Sequence, residues 1–169
     1  MNYKTDTYKG NYILTNPDKY CSPRPPAFKS RWEKKIFIAL DNNPFVPKWG
    51  YESIEVYYQN PVYQKWSVYY PDIFCSVISP DGSIRVLMIE IKPAKYTQPP
   101  KKPNQPKSRD AKSIIKHQTS LKRYENEWRD WLVNQSKWNA ARAWCLKNKV
   151  EWLIITERNV DGFFNSGSI

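Results

Sequence analysis

The chain has 169 residues, 40% of them hydrophobic, with eight Trp, twelve Tyr and six Phe, which is enough apolar mass for one domain with its own core. No apolar run reaches the roughly 18 residues that crossing a membrane requires, and Met1-Asn2-Tyr3-Lys4 does not open a secretion signal. The net charge of +11 is placed unevenly: residues 92–149 hold 15 Lys+Arg against 4 Asp+Glu, and the rest holds 12 against 12. A positive lobe of that size suits a polyanion such as nucleic acid, against the plainer reading of a solvated basic helix face. Cys21, Cys75 and Cys145 are too widely spaced for a zinc site and are expected as reduced thiols in a cytosolic compartment.

Residues 1–27 show no clean period and are rich in Tyr and Pro, so they are expected to form an extended arm. Lys4, Lys9, Lys19 and Arg24, interleaved with tyrosines, could touch nucleic acid, or the aromatics could simply pin the arm to the core. A helix is predicted from Ser30 to about Asp41, with Ser30 as N-cap and Glu33 completing a capping box. Glu33 shares the face of Ile36, Phe37 and Leu40, where a carboxylate needs a partner. Either it caps its own helix or it faces a metal. Asn42-Asn43-Pro44 ends the helix.

Glu52–Tyr58 alternates as a strand. Trp66–Ile78 and Ser83–Ile91 follow as two β-rich runs joined by Ser79-Pro80-Asp81-Gly82, whose proline and glycine suit a tight reversal. A turn centred near Asp81 sets Asp72 opposite Glu90 across an antiparallel pair, and the period of two returns Lys92 to the same face. Two acids and a lysine on one sheet face are good chemistry for a divalent metal and a water. Leu87, Ile89 and Ile91 on one face, and Ile84, Val86, Met88 and Glu90 on the other, predict a central strand covered on both sides.

The next segment, 93–111, is expected as a Pro/Lys-rich loop, either a basic flap over a substrate or a mobile connector. A basic helix is predicted over about 112–135, then a second helix over 137–147 capped by Ser136. Lys95, Lys101, Lys102 and Lys107 of the loop and Lys112, Lys116, Lys122 and Arg123 of the helix are the candidate DNA contacts. His117, the only histidine, is read as incidental. A buried strand over 150–156 and a loose tail over 161–169 complete a single domain of 1–169. Helix, three strands, loop, helices and strand make an α/β sandwich around a mixed sheet.

Glu33, Pro71-Asp72 and Glu90-Ile91-Lys92 in this order resemble the PD-(D/E)XK nuclease superfamily. Tyr8–Tyr12, Ser30–Lys35, Lys48-Trp49-Gly50, Tyr70-Pro71-Asp72, Glu90–Pro93, Asn134–Trp138 and Ile154–Glu157 look like the head completion nucleases of myovirus-type tailed phages. The nuclease domain of a transposon-end cleaving subunit has a similar layout and is the poorer match. The resemblance implies a restriction-endonuclease-like core and a Mg²⁺-dependent endodeoxyribonuclease, with Mn²⁺ able to substitute. It implies a metal held by Asp72, Glu90 and the Ile91 carbonyl with Glu33 assisting, and Lys92 acting on the attacking water. DNA is the implied partner, with phage head or portal proteins beside it, in the host cytoplasm during assembly or in the virion. A non-catalytic DNA-binding protein that seals the filled head is the alternative. The fourth superfamily motif, on the helix after the core, has only Gln118 and Tyr124 as candidates, and their spacing does not fit.

Overall fold

A computed structural model describes residues 8–106 and 108–160. Ser30 caps helix α1, Arg31–Asn42, by accepting from the Glu33 N–H at 3.1 Å. Two short strands, β1 (Gly10–Asn11) and β2 (Ala27–Phe28), precede it and pair antiparallel. Between them the arm lies on the domain: Tyr12, Leu14 and Tyr20 pack against the core. It is tied to the fully buried Asp41, whose carboxylate accepts from the Tyr12 hydroxyl at 2.9 Å and the Thr15 N–H at 2.7 Å. The pinning role of the arm's aromatics is therefore realised over 8–27. Lys4 lies outside the described residues.

The core sheet has the order β3-β6-β7-β8, from strands Lys48–Tyr51, Ile73–Ile78, Ile84–Ile91 and Glu151–Ile155. β3 pairs antiparallel with β6, β6 with β7, and β7 parallel with β8. A parallel pair needs a long crossover, and helix α2, Ala111–Asn148, supplies it. One sheet face, with Ile73, Cys75, Val77, Leu87, Ile89 and Ile91, packs on Ile36, Phe37 and Leu40 of α1. The other carries Met88 against Trp138, Ala141 and Cys145 of α2. β7 is thus covered on both sides, as its two apolar rows predict.

The β6–β7 turn forms as expected. Gly82 has φ 81°, a conformation that glycine adopts without steric cost, and its N–H donates to the Ser79 carbonyl at 2.8 Å. The register pairs Ile73 with Ile89 and Ile78 with Ile84, the alignment of a turn centred on Asp81.

Three predicted elements are corrected. Trp66–Ile78 is not one strand: β5 (Lys65–Tyr69) ends before Tyr70-Pro71-Asp72 and β6 begins after it. Pro71 has no N–H for a ladder, so the chain leaves one sheet there and enters another. The strand placed at Glu52–Tyr58 is β4, Val56–Asn60; it pairs with β5 in a separate two-stranded ribbon lying on α2. The two helices expected over 112–147 are one, capped by Asp110 and about 57 Å long. Ser136 caps nothing; its hydroxyl donates sideways to the Gln59 carbonyl at 2.7 Å. The first buried residue of α2 is Trp138, so the basic N-terminal part of the helix stands clear of the core. β3 carried no alternation in sequence because three of its four residues are buried. The tail, 161–169, lies outside the described residues. No described helix is long and apolar enough to cross a membrane.

Candidate active site

The break at Pro71 puts Asp72 immediately before β6, and the β6–β7 register carries it to Glu90 near the end of β7. The Ile91 N–H donates to Asp72 Oδ2 at 2.7 Å. Oδ1 has no hydrogen bond among the described residues. Glu90 is buried, at 6% exposure. Its Oε2 accepts from the Tyr69 hydroxyl in a short hydrogen bond, and its Oε1 lies 3.5 Å from the Lys92 ammonium. Asp72, Glu90, Ile91 and Lys92 therefore meet at one end of the core sheet.

The electrostatics of this cluster are unbalanced. Crowding by protein atoms pushes the Asp72 carboxyl well above its usual range; the Glu90 charge adds to this, the Ile91 N–H opposes it, Glu33 adds and Lys92 opposes. Burial, then the Glu90 carboxylate, raises the Tyr69 phenol. Lys92 is the one cation ion-paired with these two acids among the described residues.

Glu33 completes the capping box: its carboxylate accepts from the Lys29 N–H at 2.6 Å and from the Ser30 hydroxyl at 3.3 Å. Burial raises its pKa, against the Lys29 N–H and charge, and Glu52 adds to the rise. It reaches Asp72 as a charge, while both its oxygens are held by its own helix start. Among the described residues no group of three or more His, Cys, Asp or Glu side chains converges closely enough to hold a metal ion. The two carboxylates of Asp72 and Glu90 are hard oxygen donors, and they fit Mg²⁺, which is commonly bound through one or two carboxylates while keeping several waters.

Three residues that sequence reading missed complete the site. Glu52 has φ 44°, strained for a side chain of its size. Its N–H donates to the Asp72 carbonyl at 3.1 Å. Its carboxylate holds Arg24 at 2.9 Å, Lys29 at 3.0 Å and the Tyr51 hydroxyl at 2.8 Å. The Arg24 guanidinium also lies 3.9 Å from the Tyr70 ring centre, so the arm delivers a fixed cation beside Pro71-Asp72. Tyr69 fixes Glu90; its only sequence signal is adjacency to Tyr70-Pro71-Asp72. Lys137, from α2, faces the same cluster, and it falls in the Asn134–Trp138 segment already marked by family likeness. Gln118 and Tyr124 lie far toward the other end of α2, Tyr124 about 20 Å along the axis from Lys137.

The expected DNA contacts are spread over the loop and the exposed part of α2. Lys95 follows Ala94 in a 3₁₀ turn, its ammonium 4.2 Å from the Tyr96 ring centre. Lys101 and Lys102 are exposed on the loop, and Lys112, Lys116, Lys122 and Arg123 on the free-standing part of α2. Lys107 lies outside the described residues. A cleft of about 390 Å³ separates the loop from α2, lined by Tyr96, Pro99, Lys101, Asp130, Trp131 and Arg158 among others.

The chain is similar to known nucleases. A family described as TnsA-like endonuclease N terminal matches residues 43–157. The head completion nuclease of Enterobacteria phage T4 is 35% identical over 153 residues, covering 89% of this chain and 91% of that protein. No solved structure matches the chain.

Proposed function

The chain belongs to the TnsA-like endonuclease N-terminal family, and from that premise we propose that it is a Mg²⁺-dependent DNA endonuclease acting in phage head completion. The observation that carries the chemistry is the Asp72–Glu90 pair with Lys92 beside it. Asp72 Oδ1 and Glu90 Oε1 would hold the metal, with the Ile91 carbonyl as a further oxygen; Mn²⁺ could substitute. Glu33 would act through metal-bound waters, since its own oxygens serve the cap. Bound there, Mg²⁺ supplies positive charge for the phosphate oxygens and lowers the pKa of a bound water.

The protein's own groups do the rest. Tyr69 and the Ile91 N–H hold the two carboxylates in place, so little reorganisation is needed as charge develops. Lys92 donates from Nζ to the attacking water and to a phosphate oxygen. The water gives up one proton to bulk solvent, its oxygen forms the new bond to phosphorus, the bond to the 3′ oxygen breaks, and a proton from solvent passes to that leaving oxygen. Products are a 5′-phosphate and a 3′-hydroxyl, with no covalent enzyme intermediate. The lysines of the loop and of α2 grip the duplex on either side.

The test is nicking of supercoiled plasmid by purified protein with and without Mg²⁺. Nicking that requires Mg²⁺ and is lost in Asp72→Ala supports the reading. DNA binding with no nicking would instead favour a non-catalytic protein that seals the filled head.

A further inference from the structure

Lys137 sits in an environment unlike that of the other cations of α2. Its neighbours in sequence are fixed: Ser136 is bonded to the Gln59 carbonyl, and Trp138 is buried at 1% exposure. This leaves the Lys137 stem running over the β4–β5 ribbon, with its ammonium 5.8 Å from the Tyr58 ring centre and 5.6 Å from that of Tyr69. Tyr69 is the residue that holds Glu90. The side chain is half-buried, whereas Lys112, Lys116 and Lys122 are exposed. It makes no hydrogen bond or ion pair among the described residues. The charges that bear on it are Lys92, which opposes its ionisation after burial has already done so, and Glu90, Asp130 and Asp72, which favour it.

A half-buried ammonium without a bonded counter-ion is costly, and two tyrosine faces return only part of that. A lysine kept only for packing could turn its head to solvent, as lysines on helix surfaces do. This one is directed at the acidic cluster from the face of the sheet that Glu90 and Lys92 share. Its ammonium is therefore open to an anion that arrives from outside.

We propose that Lys137 is a second active-site cation, whose ammonium binds a non-bridging oxygen of the scissile phosphate across from Lys92. The proposal rests on the nuclease reading above. In it the phosphodiester is gripped by lysines from two different places, just after β7 and in the C-terminal third of α2. The phosphate carries one negative charge when bound and gains a second as the water, having lost its proton, adds to phosphorus. A fixed ammonium at that oxygen favours the more charged state. Lys92 is paired with Glu90 and serves the water and one phosphate oxygen; Lys137 makes no ion pair among the described residues and serves another phosphate oxygen.

The experiment compares wild type with Lys137→Met, which keeps the stem on the tyrosines, and Lys137→Arg, which keeps the charge. Three quantities are measured: the single-turnover cleavage rate at saturating duplex DNA in Mg²⁺, the salt dependence of duplex binding in Ca²⁺, and the melting temperature. Lys137→Met should cleave about 100-fold more slowly, the usual cost of removing one charge-stabilising donor. Its slope of log K against log salt should be shallower by about 0.9, one phosphate contact, at an unchanged melting temperature. Lys137→Arg should restore the slope and much of the rate. A Lys137→Met protein with wild-type rate and slope overturns the proposal. So does one whose rate falls only in step with its melting temperature, since that marks a packing role. Wild-type protein that binds DNA without cleaving it overturns the nuclease reading instead, and the salt slope then decides the Lys137 contact by itself.

Discussion

The Ile91 N–H donates to the Asp72 carboxylate at 2.7 Å, joining the residue just before β6 to the one that closes β7. The bond occupies Oδ2 and leaves Oδ1 without a hydrogen bond among the described residues. It also means that Asp72 has a structural duty separable from its charge, and the two can be tested apart.

Asp72→Asn keeps an acceptor for the Ile91 N–H and removes the charge. Two carboxylates about 4 Å apart at an effective dielectric near 20 oppose each other by roughly 4 kcal/mol before relaxation and proton uptake. Metal-free Asp72→Asn should therefore melt at or above the wild-type temperature, and Asp72→Ala, which orphans the N–H, below it. Mg²⁺ should raise the melting temperature of wild type and much less that of Asp72→Asn, at matched ionic strength. Equal gains from Mg²⁺ would remove Asp72 from the metal site.

The same pair predicts a pH dependence. The folded-state pKa of Asp72 lies above the usual carboxylate value, chiefly from burial and then Glu90, so the folded protein takes up its proton more readily than the unfolded chain. Its stabilising contribution is complete below the unfolded pKa and is lost as pH rises through the raised folded one. In metal-free protein the stability of Asp72→Asn relative to wild type should therefore grow as pH rises above the ordinary carboxylate range. Denaturant melts at a series of pH values check this; a difference that shrinks with rising pH contradicts it.

Lys92→Ala should abolish cleavage and leave DNA affinity almost intact, because affinity comes from many charges elsewhere. Anisotropy titrations and nicking assays on the same preparations distinguish this from an ordinary phosphate contact, for which binding and cleavage would fall together.

Glu52 combines a left-handed backbone with three side-chain partners. Glu52→Ala and Glu52→Gly lose the same ion pairs, but only glycine relieves the backbone. The glycine variant should be the more stable of the two by about 1 kcal/mol in denaturant melts. Both should weaken cleavage by freeing Arg24 and Lys29. An alanine variant as stable as the glycine one would show that the left-handed conformation costs nothing.

Binding should be strongly dependent on salt. If about five phosphates are neutralised, log K falls with log salt at a slope near −4.5. Neutralising Lys101 and Lys102 should flatten it, as should neutralising Lys116, Lys122 and Arg123 on the exposed part of α2. A slope unmoved by the loop pair would take the loop out of the binding surface.

What the sequence determined by itself are the features whose causes are local. Ser30 and Glu33 are three residues apart and form their capping box without help from the rest of the chain. Pro80, Asp81 and Gly82 set the turn, the period of two carries its register outward, and Asp72 meets Glu90 and Ile91 where the turn alone places them. Tertiary structure decided whatever depends on partners distant in sequence. Lys48–Tyr51 becomes a strand because it lies between the arm and β6, and a segment buried on both faces shows no alternation. α2 runs on through Ser136, whose hydroxyl donates to the Gln59 carbonyl, and nothing near Ser136 in sequence announces that acceptor. Tyr69 with Glu90, Arg24 with Glu52, and Lys137 over Tyr58 and Tyr69 are meetings between elements. Side-chain periodicity tells which face a residue occupies, but only the packing of α2 and the ribbon on the sheet brings those faces together.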